Sequence, residues 1–148
     1  MKVVVGVDHG GYPLKGRVVS LLEELGHEVM DAGAHEFDPL DDYPDFALKA
    51  AELLSSGSAQ RAIVICGSGV GASVAANKVR GVRAAVCHDL YSAAQGVEHD
   101  DMNALCMGAR IIDEEMAVRL VTAFLSAKFS GEERHERRLR KVLAAEQA

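Results

Sequence analysis

RAIVICGSGVG (61–71) is the stretch from which the fold can be inferred. Its first six residues form a short apolar run with β-branched side chains, which is typical of a strand covered on both faces. A glycine-rich turn follows at once, and GVGASVAANKV (69–79) then opens a helix. A strand that leads through such a turn directly into a helix is typical of a βαβ unit in a parallel sheet.

The same alternation of strand and helix extends along the rest of the chain. Further strands are predicted at VVVGV (3–7), HEVMDAG (27–33), VRAAVCH (82–88) and NALCMGARI (103–111). Further helices are predicted at 14–26, 45–57, 90–100 and 113–127, with a last charged helix from the break at 130–131 to about residue 146, and a loop at 35–44. The pattern predicts an α/β sandwich with a mainly parallel five-stranded sheet and a C-terminal helix.

Composition and charge narrow the classes of protein to which the chain can belong. With 148 residues, 49% of them hydrophobic, we expect one domain spanning 1–148 with a full core. The net charge of −6 at pH 7 disfavours a nucleic-acid partner. We find neither an apolar run near the roughly 18 residues of a membrane span nor the apolar core of a signal peptide. Three cysteines without a C-x-x-C pair fit a reducing compartment, so we expect a cytoplasmic protein without a membrane partner.

Polar side chains with catalytic chemistry follow or precede several of the predicted strands. Asp8 and His9 follow the first strand, Cys66 ends the third, and His99 precedes the fifth. Because ligands gather at the carboxyl ends of parallel strands, we expect these residues to share one face. Each also has a plainer interpretation, as a turn residue, a buried thiol or a helix-capping cation. Metal binding by His9, His88, His99 and the aspartates is a weaker alternative, since no H-x-x-x-H spacing supports it.

The turn CGSGVG (66–71) combines a thiol with closely spaced glycines. Backbone N–H groups in such a turn can approach an oxygen anion, and they can also stabilise a thiolate. The spacing matches neither the dinucleotide fingerprint nor a P-loop. The alternative is a tight turn beside a buried cysteine, which is how we interpret Cys87 and Cys106. The turn therefore predicts either a proton-transfer base or a nucleophile at Cys66.

EERHERRLRK (132–141) concentrates basic residues near the end of an acidic chain. On a helix, Arg134 and Arg138 lie four residues apart on one face. Guanidinium groups bind phosphate in a bidentate fashion, so the pair is a candidate phosphate clamp that Arg110 could join. The alternative is a solvated helix with Glu–Arg pairs.

Five stretches together make the chain resemble the ribose-5-phosphate isomerase type B family and its galactose-6-phosphate isomerase relatives. They are VDHGGYPLK (7–15), DYPDFA (42–47), ICGSGVGASVAANKVRGVRAAVC (65–87), HDDMNALCMGARI (99–111) and GEERHERR (131–138). The resemblance implies a Rossmann-like α/β/α sandwich that interconverts ribose 5-phosphate and ribulose 5-phosphate through a cis-enediol, with no metal or cofactor. It also implies a homodimer or a dimer of dimers with active sites shared between subunits.

The resemblance also implies a role for each site residue. Cys66 would be the base that moves the proton between C1 and C2, and His99 would open the furanose ring from the neighbouring subunit. Other catalytic or substrate-binding residues would be Asp8, His9, Tyr43, Gly67, Ser68, Gly69, Val70, Gly71, Asp100, Arg110, Arg134 and Arg138. Within this set, the backbone at 67–71 and the Ser68 hydroxyl would bind the enediolate, and the three arginines would bind the phosphate.

Asp100 is a departure from the family pattern, which commonly has asparagine after the site histidine. A carboxylate close to a phosphate would be repelled, so either Asp100 turns away, or it favours the charged form of the neighbouring His99, or the preferred substrate differs from the usual pentose phosphate. The alternatives are an isomerase of allose or galactose 6-phosphate, a non-catalytic sugar-phosphate-binding subunit, and a cysteine-dependent hydrolase or phosphatase.

Overall fold

Strands and helices alternate through residues 1–146, which is the part of the chain described by this computed structural model. The strands are β1 (Lys2–Val7), β2 (Glu28–Asp31), β3 (Arg61–Cys66), β4 (Ala84–Val86) and β5 (Ala104–Gly108). The helices are α1 (Tyr12–Glu24), α2 (Tyr43–Ser55), α3 (Val70–Ala76), α4 (Leu90–Asp100), α5 (Glu114–Ser126) and α6 (Glu133–Glu146). Within residues 1–146, we find no helix with the length and apolar character needed to span a bilayer.

The five strands form one sheet in the order β2-β1-β3-β5-β4, and every pair of neighbours is parallel. β1 and β3 are neighbours, while the chain leaves them toward opposite edges of the sheet. Ligands bind at such a switch point in open α/β sheets, outside the carboxyl ends of the strands. Because Val7 pairs with Ile65, Asp8 and Cys66 leave the sheet side by side.

The helices cover both faces of the sheet, which confirms the predicted three-layer α/β/α sandwich. One face packs against α1, α4 and α5, with Val5, Ile63 and Phe124 fully buried among them. The other face packs against α2 and α3, and its core includes Val64 and Cys66. Alternate side chains of one strand point to opposite faces, so β1 and β3 contribute to both cores.

Several predicted boundaries differ from the structure, and three of the differences have a clear physical cause. The strand predicted at 82–88 is confined to 84–86, because the N–H of Val82 donates to Val79 and the N–H of Arg83 to the side chain of Asn103. The loop predicted at 35–44 ends at residue 42, since Pro44 lies in the first turn of α2, where proline needs no N–H partner. The fifth strand ends at Gly108 instead of 111, where the chain turns toward Arg110.

Candidate active site

A pocket of about 310 Å³ opens at the carboxyl ends of β1, β3 and β5. It is lined by Asp8, Tyr43, Cys66, Gly67, Ser68, Gly71, Arg110 and Ile111. All but Ile111 are among the residues predicted for the site. The switch point of the sheet therefore brings residues from four separate parts of the chain together in one crevice.

Cys66 is the last residue of β3, and its Sγ accepts a hydrogen bond from the backbone N–H of Gly69 at 3.1 Å. Gly69 has φ +82°, and a β-carbon there would lie 2.9 Å from the carbonyl carbon of Met107. Only glycine fits that conformation and that space without strain. The turn is thereby held in a conformation that directs a backbone N–H at the Cys66 sulfur.

The other two cysteines differ from Cys66 in their surroundings. Burial is the main cause that raises the pKa of the Cys87 thiol to about 11, and the nearby Asp89 carboxylate adds to it. Burial also raises the pKa of the Cys106 thiol, which is fully enclosed in the core. Both groups stay protonated at neutral pH, and neither lines the pocket. Their environments support the interpretation of these two as core residues.

The turn at 67–71 is held against the end of β5. A β-carbon on Gly108 would lie 2.5 Å from the carbonyl carbon of Ser68, so the two backbones are in direct contact. Within the turn, the N–H of Val70 donates to the Ser68 hydroxyl at 3.2 Å. The ring of Tyr43 packs over the α-carbon of Gly71 and closes one side of the pocket.

Asp8 and His9 leave β1 next to this turn. Asp8 is buried, and its Oδ1 accepts a hydrogen bond from the N–H of Gly11 at 2.9 Å. The Oδ1 of Asp41 accepts two hydrogen bonds from His9, one from its backbone N–H at 2.9 Å and one from Nδ1 at 2.7 Å. This bond to Asp41 is the largest cause that raises the pKa of His9, and the Asp8 and Asp41 charges add to it, while burial and the Arg110 charge oppose it.

Arg110 places a positive charge over the turn. Its guanidinium Nη1 lies 3.1 Å from the position that a β-carbon of Gly67 would occupy, and its backbone N–H donates to the carbonyl of Gly67. Within residues 1–146, Arg110 forms no ion pair with a carboxylate. Its charge is therefore available to an anion in the pocket.

The ligand atoms of Asp8, His9 and Asp41 lie within 4.8 Å of one another, which is close enough for a shared cation. Oδ1 of Asp8 and Oδ1 of Asp41 already accept N–H groups of the protein, however. A cation would have to displace the Nδ1 proton of His9 from Asp41 before the imidazole could bind it there. A cation at this position would therefore compete with hydrogen bonds that the protein already makes.

The remaining predicted residues do not line this pocket within one chain. His99 lies in the last turn of α4, with its ring stacked on His135 at a centroid separation of 4.0 Å. Asp100 and Arg138 line a separate, larger pocket of about 540 Å³ between α6 and the β4 edge of the sheet. Arg134 forms an ion pair with Glu132 at 3.1 Å, and Val70 is exposed beside the Cys66 pocket.

Three residues of this region were not predicted from the sequence. Asp41 acts on His9 across 32 positions, and no local spacing indicates that contact. Ile111 follows a predicted arginine but carries no chemistry that would single it out. His135 is buried, and its Nδ1 lies 2.6 Å from the Ser130 hydroxyl. Burial is the main cause that lowers the pKa of His135, and the nearby His99 and Arg134 charges add to it.

Comparison with known proteins identifies the family. The family model described as Ribose/Galactose Isomerase matches residues 3–142. Ribose-5-phosphate isomerase B of Escherichia coli is 41% identical over 146 residues, which cover 99% of this chain and 97% of that protein. The solved structure of Clostridium thermocellum ribose-5-phosphate isomerase B is 46% identical with a TM-score of 0.95, covering 99% of this chain and 98% of the other.

A second solved structure adds a ligand. Ribose-5-phosphate isomerase B of Mycoplasma genitalium, crystallised with bound ribulose-5-phosphate, is 38% identical with a TM-score of 0.94. The match covers 99% of this chain and 96% of that one. These matches confirm the resemblance that the sequence motifs indicated. The chain therefore belongs to the ribose/galactose isomerase family of aldose–ketose isomerases.

Proposed function

We propose that this protein interconverts ribose 5-phosphate and ribulose 5-phosphate, with Cys66 as the base. The observation that carries the proposal is the position of Cys66, whose Sγ lies in the pocket and accepts an N–H of its own glycine turn next to Arg110. The names of the full-length relatives, and the ribulose-5-phosphate bound to one of them, support a pentose phosphate as substrate.

The reaction needs a single base and a site for the developing negative charge. The Cys66 thiolate removes the C2 proton of the open-chain aldose, and the C1 carbonyl electrons move to O1 as the C1–C2 double bond forms. A proton passes from O2 to O1, and Cys66 returns its proton to C1, which gives the ketose and restores the thiolate. The Ser68 hydroxyl and the remaining backbone N–H groups of the 67–71 turn stabilise the charge on the oxygens, since the N–H groups of Gly69 and Val70 already donate to Cys66 and Ser68.

The phosphate binds away from the reacting carbons. Arg110 supplies a charge at the pocket, and His9 lies close enough for its pKa to be affected by that charge. Asp8 and Tyr43 contact the sugar. Binding energy from this remote group orients C1 and C2 against Cys66 and therefore contributes to catalysis.

The active form is a homodimer in which His99, Asp100, Arg134 and Arg138 act in the pocket of the neighbouring subunit. Within one chain these residues lie outside the Cys66 pocket. Three apolar side chains near that pocket are exposed: Ile111, which lines it, is 62% exposed, and Val70 and Val74 of α3 are 56% and 54% exposed. Val70 and Val74 lie one turn apart on α3 and form an apolar surface that a second copy can cover.

The first experiment measures isomerisation of ribose 5-phosphate, allose 6-phosphate and galactose 6-phosphate by the purified protein, with and without a chelator. We expect the pentose phosphate to be turned over fastest, at the same rate with chelator present. Faster turnover of a hexose phosphate would leave the proposed mechanism standing but identify a different substrate. Asp100 would then be the first residue to substitute in a search for the cause of that preference. Absence of turnover on all three would overturn the proposal in favour of a binding subunit.

A further inference from the structure

Asp41 is a nearly buried carboxylate whose interactions depend on one other residue. It lies in the loop before α2, its side chain is 9% exposed, and its Oδ1 accepts both N–H groups of His9 described above. Its Oδ2 is buried and has no hydrogen-bond partner among residues 1–146. A buried carboxylate with one oxygen unpaired is costly, so the bonds to His9 have to offset that cost.

This contact fixes the orientation of the imidazole. Nδ1 of His9 donates to Asp41, so Nε2 is the ring nitrogen left for a ligand, and the side chain is 30% exposed. Three charged groups face the ring from three segments: Asp8 after β1, Asp41 before α2, and Arg110 after β5. The hydrogen bond with Asp41 is the largest of their effects, and it raises the pKa of His9.

We propose that Asp41 is a positioning residue that holds His9 as a doubly protonated donor, with Nε2–H directed to the substrate phosphate beside Arg110. Asp41 does not touch the substrate and acts only through His9. Arg110 lines the pocket, and His9 lies close enough to it to be affected by its charge. A protonated imidazole beside a guanidinium matches the charge of a phosphate dianion. The inference rests on the proposed function, because the phosphate in question is that of the proposed substrate.

Asp41→Asn tests the proposal by kinetics. We expect KM for ribose 5-phosphate to rise about tenfold, equivalent to about 1.4 kcal/mol, because a neutral amide no longer holds the proton on His9. We expect kcat to stay within about threefold, since Cys66 is untouched. Asp42→Asn is the matched control: it removes the same charge one residue later, from an exposed side chain that forms no capping hydrogen bond.

The route through His9 is tested with His9→Gln. We expect this variant alone to raise KM by a similar factor, and Asp41→Asn to add less than about twofold in that background, since coupled residues are not additive. An unchanged KM in His9→Gln would overturn the proposal. The proposal would also be overturned if Asp41→Asn raised KM as much in the His9→Gln background as it does alone. Asp41 would then act by another route, such as ordering its loop. If Asp41→Asn does not fold, the His9→Gln result alone decides.

A second readout does not depend on turnover. NMR titration of the His9 ring in the whole protein should show its pKa lowered in Asp41→Asn and unchanged in Asp42→Asn, and the Kd for inorganic phosphate should rise only in Asp41→Asn. A wild-type protein that isomerises no sugar phosphate but shows these changes would contradict the proposed function and leave the Asp41–His9 coupling standing. An unchanged His9 titration in Asp41→Asn would overturn the coupling whatever the activity.

Discussion

At the scale of single residues, the three cysteines separate by environment. Only Cys66 lies in the pocket and accepts a backbone N–H at its sulfur. We expect Cys66→Ala to lower kcat for ribose 5-phosphate by roughly 10²–10⁴-fold, the usual effect of losing a positioned base. The substrate should still bind, which isothermal titration calorimetry would show.

Cys87→Ala is the control for this change. It also removes a thiol at the end of a strand, but that thiol is buried, outside the pocket and protonated at neutral pH. We expect turnover to stay close to that of the wild type. Retained activity in Cys66→Ala would show that the base lies elsewhere.

His135 has a lowered pKa, chiefly because it is buried, and this makes its contribution to stability depend on pH. The folded protein holds it neutral, so its contribution is complete above its ordinary value of 6.5 and is lost as the pH falls through the lower folded value. His135→Asn replaces the titratable imidazole with a neutral amide, which stays near the Ser130 hydroxyl. We expect the difference in unfolding free energy between wild type and variant to shrink from about pH 7.5 to about pH 5.5.

Urea denaturation at several pH values measures this difference. The comparison with the variant is necessary because His9 contributes with the opposite sign: its pKa is raised, so its contribution is present at low pH and lost as the pH rises. A difference that stays constant over the range would contradict the assignment to His135.

At the scale of elements, the position of the 67–71 turn depends on its contact with the end of β5. Gly108→Ala would place a β-carbon 2.5 Å from the Ser68 carbonyl carbon and push the turn away from the sheet. We expect the free energy of unfolding to fall by about 1–3 kcal/mol, as for other overpacked cores. We also expect isomerase activity to fall, because the N–H groups around Cys66 move with the turn.

Gly16→Ala is the matched control for this prediction. Gly16 lies in α1, and an added β-carbon there would meet nothing within 4 Å. Alanine in the middle of a helix should raise the stability by about 0.5–1 kcal/mol and leave activity unchanged. Thermal unfolding of both variants checks the pair, and equal stabilities would contradict the contact between the turn and β5.

Elements and strand ends could be predicted from the sequence because their signals are local. Apolar runs indicate β1 and β3, and the polar residues directly after them reach the pocket, as Asp8 and Cys66 do. The pairing of Asp41 with His9 could not be predicted this way, since it depends on how a loop folds back over β1. The place of Arg134 and Arg138 could not be fixed either, because neither reaches the Cys66 pocket of its own chain.

At the scale of the whole molecule, the residues proposed for catalysis and binding lie in two separate regions of one chain. Cys66 and Arg110 line one pocket, while His99 is stacked on His135 of α6 and Arg138 lines another pocket. In the proposed homodimer, two-fold symmetry would place His99 and Arg138 of each subunit at the Cys66 pocket of the other, which would give two complete sites per dimer. The exposed Val74 on α3 is a suitable position to test that interface, and Val74→Glu should yield monomers by analytical ultracentrifugation.

Mixing two inactive variants distinguishes shared sites from separate ones. Cys66→Ala and His99→Ala homodimers should each be nearly inactive. After unfolding and refolding together, half of the dimers are mixed, and one of the two sites in each mixed dimer has an intact Cys66 and an intact partner His99. We therefore expect about one quarter of the wild-type activity to return. If His99 acts on the Cys66 of its own chain, every site in the mixture lacks one of the two groups, and no activity returns.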